Sequence, residues 1–337
     1  MTAIRYALSF FLVLLVGGCG GVEVKQEQKQ PTAGDPLESL RRACLKQEGE
    51  NAVPACRKVL RLHPGDYAVE HRLGWLLGQQ GEIPEGIAHL RKACKLRPGD
   101  PEILCDLGKT LEKRGDRQGA LDSYRRALQA DPKNANARLC LGILLRKTGK
   151  KDESEKELRN LIGQESENAT AWAQLSLTLA RLGRLEEAIE AGSKAVALKP
   201  DDANARSNLG LFLTEAGRTE EAVEELTRAV KTEPDNATAL YNLGLAYTKA
   251  DALEEAARAY LGALSQRESF PQAHHNLAVI LIGLGICQES KLHLDRSHEL
   301  GVKSAPIVLK QYQAICEKPR EPEGEEGREG GEENPAD

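Results

Sequence analysis

The chain has 337 residues, a formal net charge of −5 at pH 7, only 4% aromatic residues and a single methionine. Leu, Ala, Glu, Arg and Gly dominate, which is the mixture expected of stacked helices rather than of a conventional enzyme core. No basic patch interleaved with aromatic residues occurs, so the composition gives no indication of nucleic-acid binding.

The start of the chain has the order of a secretion signal. Arg5 is its lone arginine or lysine, residues 6–16 are almost wholly apolar, and Gly17 and Gly18 follow at once. A membrane-spanning helix needs about 20 apolar residues, and this run is too short. A buried N-terminal helix would need a continuing amphipathic pattern, whereas residues 20–34 are polar and rich in Gly and Gln.

The residues Val16-Gly17-Gly18-Cys19 resemble the lipobox of bacterial lipoproteins, in which the signal peptide is removed before a cysteine that is then lipidated. The resemblance implies a signal peptide over residues 1–18, a lipidated Cys19 and a flexible linker over 19–34. More than one acyl chain is needed for stable membrane anchoring. Because Gly20 follows Cys19 in place of the aspartate that retains many enteric lipoproteins in the inner membrane, we expect the outer membrane, facing the periplasm.

Residues 35–66 are predicted to form a helical hairpin, after which a period of 34 residues begins at Tyr67 and runs for seven rows to Ser304. Position n of each row is called column n. Column seven is leucine in every row: Leu73, Leu107, Leu141, Leu175, Leu209, Leu243 and Leu277. Columns eight and twenty hold only small residues, which allow two helices to approach closely.

Two further columns mark where the helices of each row end. Column fifteen is glycine except for Asp251, and glycine after a helix supplies the left-handed stop. Column thirty-two is proline in four rows, and proline ends a second helix. Each row is therefore predicted to be a helix, a tight turn and a second helix.

These columns resemble the tetratricopeptide repeat (TPR), whose consensus places large apolar, Leu, Gly, Tyr, Ala, Phe, Ala and Pro residues along 34 positions. The resemblance covers residues 67–304 and implies an all-α fold, a right-handed solenoid of antiparallel helix pairs. The third row departs from the consensus at Arg138, Leu161 and Ser166, and the sixth has Glu268 in place of proline. We expect those rows to be looser or to bend the stack.

Residues 305–316 are predicted to form a capping helix, because an uncapped end repeat exposes an apolar face. Residues 317–337 are almost entirely Glu, Gly, Pro and Arg. They hold too little apolar surface to offset the entropy of ordering, so a disordered acidic tail is expected. This tail is interpreted either as a solvated segment or as an acidic docking segment.

Seven cysteines remain besides Cys19, in a compartment that permits disulfides if the signal is processed. Three pairs fall where antiparallel neighbouring helices should meet: Cys44 with Cys56, Cys94 with Cys105, and Cys287 with Cys316. The alternative is that they are buried small apolar residues. Cys140 is left without a partner in this scheme.

The chain has no zinc-ligand pair, no phosphate-binding loop and no nucleophile elbow. We therefore predict no enzyme activity, no metal and no cofactor. His274 and His275 are adjacent on a predicted helix and so point in different directions. His293 and His298 are five residues apart and are interpreted as ordinary surface residues rather than as a metal site. Asn168 and Asn236 each begin an Asn-Ala-Thr sequence, which has the pattern of a glycosylation sequon. Each also precedes a predicted helix, where asparagine is expected as a cap.

Column six faces the concave groove in TPR proteins, and Asn208, Asn242 and Asn276 occupy it in three successive rows. They resemble asparagine ladders that hold the backbone of an extended peptide, since an amide offers both a donor and an acceptor. The rest of the predicted peptide-binding set consists of neighbouring residues: Asn204, Tyr241 and Gln272. The alternative is that these asparagines only pack between helices. These columns lack the Lys and Arg set of the TPR carboxylate clamp, which disfavours a C-terminal EEVD-type ligand.

The leading hypothesis is a membrane-anchored periplasmic scaffold that binds protein partners in an envelope complex. TPR lipoproteins of similar layout serve type IV pilus secretins, motility complexes and peptidoglycan hydrolases, but fold alone does not fix function. One alternative is an accessory protein of a carbohydrate- or peptidoglycan-acting enzyme. Another is a soluble cytoplasmic TPR adaptor, if the signal is not processed.

Overall fold

A computed structural model describes residues 36–46 and 52–317, and in this part of the chain it contains seventeen helices and no strand. The predicted signal peptide, Cys19, the linker and the tail beyond residue 317 lie outside the described residues. None of the described helices combines the length and the apolar character that crossing a bilayer requires.

The helices follow one another along the chain with short connections. Their bounds are α1 Pro36–Lys46, α2 Ala52–Leu62, α3 Tyr67–Gln80, α4 Ile83–Leu96, α5 Pro101–Arg114, α6 Arg117–Ala130, α7 Ala135–Lys147, α8 Lys151–Gln164, α9 Ala169–Arg181, α10 Leu185–Leu198, α11 Ala203–Glu215, α12 Thr219–Thr232, α13 Ala237–Lys249, α14 Leu253–Gln266, α15 Pro271–Gly283, α16 Cys287–Glu299 and α17 Pro306–Cys316.

Each helix packs against the next along the chain, and the first helices of neighbouring rows, such as α5 and α7 or α11 and α13, also touch. The result is the all-α stack of helix pairs that the sequence predicts. The core runs through the whole stack as a series of apolar clusters rather than as one centre. A solenoid of this kind is stabilised by contacts between adjacent repeats.

The helix ends have the caps that the sequence predicts. The Asn168 side chain accepts a hydrogen bond from the Ala171 N–H, and Asn236 accepts from Thr238 and Ala239, so both asparagines cap helices. The column-fifteen glycines have φ between 71° and 89°. Asp251 adopts the same left-handed backbone conformation with φ 57°. A short polar side chain such as aspartate tolerates this conformation.

Column eight is small because column twenty-four of the same row packs directly on it. A Cβ built on Gly244 would lie 2.6 Å from Cε1 of Tyr260, which is 1% exposed. The fourth row has a small residue in both positions, with Ser176 in column eight and Gly192 in column twenty-four. Close approach of the two helices in a row therefore depends on one small residue in this pair.

Columns four and twenty-three also form a pair across each hairpin. Three rows have a large apolar residue in column four and a small residue in column twenty-three: Leu104 and Ser123, Trp172 and Ala191, and Leu240 and Ala259. The other four rows place two polar residues together: Glu70 with His89, Arg138 with Glu157, Arg206 with Glu225, and His274 with His293. The departure at Arg138 is thus compensated by Glu157 at 2.6 Å, and α7 and α8 keep the usual 13 and 14 residues.

Two of the three predicted disulfides are present. Cys44 and Cys56 form the N-terminal disulfide, with a Cα–Cα distance of 4.8 Å, and Cys287 and Cys316 form the C-terminal disulfide, with 5.4 Å. They join α1 to α2 and α16 to α17. Both ends of the stack are therefore covalently closed.

The third predicted disulfide is wrong, because Cys94 and Cys105 are free thiols. Cys105 on α5 packs with Ala137 of α7. Burial, with a smaller contribution from Cys140, raises the pKa of Cys105 to about 12. The sequence showed that α4 and α5 are neighbours, but a disulfide also requires the two Cβ atoms to point at each other.

Helix α17 closes the last repeat as the capping helix that the sequence predicts. Its buried residue Val308 packs with Ala278, Ile282 and Leu294 of α15 and α16. This contact covers the apolar end of the last repeat, which would otherwise face water.

Candidate peptide-binding groove

The first helices α3, α5, α7, α9, α11, α13 and α15 present one face that the second helices do not cover. Column nine of this groove face carries a series of half-buried apolar side chains: Trp75, Ile143, Leu177, Leu211, Leu245 and Val279. Column six beside it holds mostly polar residues that are also half-buried. The face therefore offers apolar contact beside polar groups on six of the seven first helices, α5 having Lys109 in column nine instead.

Column six reaches back to column five of the preceding row. His71 Nε2 lies 2.8 Å from Asp106 Oδ2, and the Asn276 amide donates to the Tyr241 hydroxyl at 3.2 Å. A polar side chain in column six can therefore form a hydrogen bond to the preceding repeat. It is free to bind a ligand only where that hydrogen bond is not formed.

This rule corrects the predicted asparagine ladder at Asn242. Its side chain is 3% exposed, and its amide donates to the Ser207 hydroxyl at 3.0 Å and to the Ser207 carbonyl at 3.4 Å. Asn242 therefore stabilises the contact between α11 and α13 and has no free face for a peptide. The interpretation of these asparagines as packing residues applies here.

Asn208 differs, since column five of the row before it is Ala173, which offers no polar group. Asn208 is half-buried, and its side chain has no hydrogen-bond partner among the described residues. Its amide can therefore hold a peptide unit without first breaking a bond in the protein. Of the three predicted column-six asparagines, Asn208 is the one best placed for this role.

The other predicted groove residues lie at the rim or in the wall. Asn204 is exposed, and its side-chain oxygen accepts a hydrogen bond from Asn236 at 3.2 Å. Gln272 is also exposed. Tyr241 is half-buried with its ring 4.8 Å from that of Phe270, and burial raises the pKa of its hydroxyl. It therefore gives the groove an aromatic surface rather than a titrating group.

A cavity of about 380 Å³ opens at the N-terminal end of the groove, between α1, α3 and α5. The guanidinium of Arg72 lies 4.7 Å from the ring centre of Trp75, and that of Arg97 lies 4.8 Å from Tyr67. Arginine over an aromatic ring is a stable arrangement at a surface. Sequence reasoning missed this cavity, although Trp75 in column nine of the first row was the available signal.

His293 is not an ordinary surface residue, which corrects its interpretation, because it is half-buried against His274, whereas His298 is exposed. His274 is buried; its Nδ1 lies 2.9 Å from Nδ1 of His293, and its Nε2 donates to the Glu268 carbonyl at 2.9 Å. Burial and the neighbouring His274 lower the pKa of His293. In residues 36–46 and 52–317, no group of three or more metal-ligating side chains is placed to hold one ion.

The comparisons with known proteins agree with this architecture. A family model described as "Tetratricopeptide repeat" matches residues 71–135, 105–157 and 139–203, and one described as "TPR repeat" matches residues 212–251. No curated protein matches the sequence.

Solved structures of the same fold cover most of the stack at low identity. The Cut9–Hcn1 hetero-tetramer of APC/C matches with a TM-score of 0.62 and 16% identity, over 84% of this chain and 56% of that one. A tetratricopeptide repeat protein from Parabacteroides merdae matches with 0.59 and 15%, over 74% and 98%. PilF of Pseudomonas aeruginosa matches with 0.56 and 18%, over 64% and 97%. At these identities the likeness concerns the fold alone.

Proposed function

Because the chain belongs to the tetratricopeptide repeat proteins, we propose that it is a membrane-anchored scaffold that binds an extended segment of a protein partner in its groove. The proposed site of action is the periplasmic face of the outer membrane. The proposed setting is an envelope complex, of the type IV pilus or secretin, motility or cell-wall kind.

The observation that carries the proposal is the groove face itself. An apolar side chain in column nine recurs on six of the seven first helices, beside the polar side chains of column six. An extended peptide presents alternating side chains and regularly spaced backbone amides, so a surface that repeats at each helix matches it. Asn208 supplies a free amide near the middle of this surface, and Leu211 and Leu245 flank it with apolar contact.

The anchor part of the proposal rests on the lipobox-like residues that end at Cys19. A flexible linker of 16 residues has a root-mean-square span of about 20 Å, by the scaling for Gly-rich chains. Such a tether would hold the groove close to the membrane while leaving it free to turn. It would raise the effective concentration of the groove near partners in the same membrane.

The test of the anchor compares the full chain with Cys19→Ala in a bacterial host. We expect the unsubstituted protein to lose residues 1–18, gain the mass of its acyl chains and sediment with membranes, and the variant to do none of these. Intact-mass measurement and membrane fractionation provide the readout. An unprocessed protein in the soluble fraction, identical for both sequences, would overturn the envelope proposal.

The test of the groove places a photo-crosslinking residue at Leu211, on the groove face, and separately at Leu261. Leu261 is 50% exposed on the second helix α14, away from the groove, and is the matched control. Binding in the groove predicts a discrete crosslinked species from Leu211 and none from Leu261. Equal crosslinking from both positions would mean that the groove has no special role in recognition.

A further inference from the structure

A buried arginine near the middle of the groove has no acidic partner among the residues that the structure describes. Arg146 stands in column twelve of the third row and is 9% exposed. One terminal nitrogen donates to the Gln174 side-chain oxygen at 2.8 Å, but its buried Nε has no hydrogen-bond partner in the described part of the chain. No described aspartate or glutamate lies within ion-pair distance of its guanidinium.

The other well-buried arginines of the stack differ from Arg146 in having an acidic partner. Arg206 is 8% exposed and is bonded to Glu225, with a second hydrogen bond to the Pro200 carbonyl at 2.9 Å. Arg138 likewise forms an ion pair with Glu157, although its Nε, like that of Arg146, has no hydrogen-bond partner among the described residues. A buried charge is normally paired, because desolvation penalises it strongly. Arg146 is therefore an exception within this fold.

The charged side chain that shifts the pKa of Arg146 has the same sign as Arg146 itself. Arg181, in column thirteen of the next row, donates to the Arg146 carbonyl at 3.5 Å, and it forms no ion pair with a described residue. Burial, and secondarily Arg181, lower the pKa of Arg146. Glu112, in column twelve of the preceding row, is already engaged by the Tyr124 hydroxyl at 2.7 Å and by Lys147 at 3.7 Å.

The surroundings of this arginine pair belong to the groove face. Gln174 is in column six, and the apolar Ile143 and Leu177 of column nine lie one helical turn before Arg146 and Arg181 on their respective helices. Residues three or four apart on a helix share one face. A guanidinium fork matches the planar geometry of a carboxylate and can bind it through two hydrogen bonds.

We propose that Arg146 and Arg181 form a carboxylate site in the groove, which binds an acidic side chain of the partner segment next to an apolar one. The inference rests on the proposed function, since it names the chemistry of the segment that the scaffold holds. The two arginines occupy columns twelve and thirteen, one helical turn beyond the apolar column nine. A bound carboxylate supplies the missing counter-charge and leaves Ile143 and Leu177 to contact the adjacent apolar side chain.

The first experiment uses glutarate as a dicarboxylate probe and measures thermal unfolding of the full chain at constant ionic strength. We expect a saturable rise of the unfolding midpoint with glutarate. In Arg146→Met this rise is lost, while the midpoint without glutarate is equal to or above that of the unsubstituted protein, because an unpaired buried charge has been removed. A purely structural Arg146 predicts a lower midpoint instead.

The matched control is Arg206→Met, which removes an equally buried arginine that does have a partner. It should lower the midpoint, since Glu225 loses its closest partner, yet keep the glutarate response. If Arg146→Met lowers the midpoint as much as Arg206→Met does, and if the unsubstituted protein shows no saturable response, the carboxylate site is refuted.

The second experiment measures binding of a fluorescein-labelled peptide of alternating glutamate and leucine by fluorescence anisotropy. A peptide with glutamine for glutamate should bind about tenfold more weakly, the change expected for one charged hydrogen-bonded contact. Arg146→Met and Arg181→Gln should abolish that preference. Equal binding of both peptides contradicts the carboxylate site, and it leaves the scaffold proposal to its own membrane and crosslinking tests.

Discussion

The substitution Gly244→Ala tests whether close approach of the two helices in a row decides the stability of the solenoid. A Cβ at residue 244 would lie 2.6 Å, 2.7 Å and 2.9 Å from three ring carbons of Tyr260. Carbon atoms in good contact are about 3.5–4.0 Å apart, so the ring would have to move by about 1 Å. Tyr260 is 1% exposed, and its hydroxyl lies 3.1 Å from that of Thr248, so the ring has no free space to enter.

The magnitude follows from two opposing effects. Overpacking a close-packed interior costs about 1–3 kcal/mol, and three contacts this short place Gly244→Ala near the upper limit. Replacing glycine by alanine inside a helix recovers about 1 kcal/mol. We therefore expect a net loss of about 2 kcal/mol in the free energy of unfolding.

The assay is urea unfolding of the full chain followed by circular dichroism, with hydrogen exchange of α13 and α14 as a local readout, because repeat stacks need not unfold in one step. Gly163→Ala is the control, since Gly163 is exposed on α8 and no atom lies within 4 Å of its added Cβ. That variant should gain up to about 1 kcal/mol. In a double-mutant cycle, Gly244→Ala should cost less when Tyr260 is already alanine. If Gly244→Ala instead behaves like Gly163→Ala, the packing explanation for column eight is wrong.

Two further predictions concern the last repeat. Because the pKa of His293 is lowered in the folded protein, the unfolded chain binds more protons near this pKa. The urea midpoint of unfolding should therefore fall as the pH drops through about 6.5. His293→Asn should reduce this pH dependence, whereas the same change at exposed His63 should not. The C-terminal disulfide, whose two cysteines are half-buried, should be reduced by a phosphine before the N-terminal disulfide, whose cysteines are 0% exposed. Differential alkylation and mass spectrometry give the order, and simultaneous reduction of both bridges would show that burial does not control it.

The sequence predicts the fold in detail because the information is local and repeated. Columns of small residues, left-handed stops and asparagine caps act within one hairpin, and the structure has them where the sequence places them. How deeply each groove side chain is buried is less predictable from the sequence. Asn208 and Asn242 share a column, yet one is half-buried with a free amide and the other is 3% exposed and bonded to Ser207. The difference is set by column five of the preceding row, a contact between repeats that periodicity alone does not show.

The same distinction applies to residues that depart from the repeat consensus. Arg138 departs from the large apolar residue that the consensus places in column four, but Glu157 in column twenty-three forms an ion pair with it. Arg206 and Glu225 form the same pair two rows later. A departure that is compensated within its own hairpin serves packing. Arg146 has no such compensation, and its neighbour Arg181 adds a second positive charge. Arg146 lies on a face that the fold leaves open. A carboxylate of a partner can therefore supply the counter-charge that this buried arginine lacks.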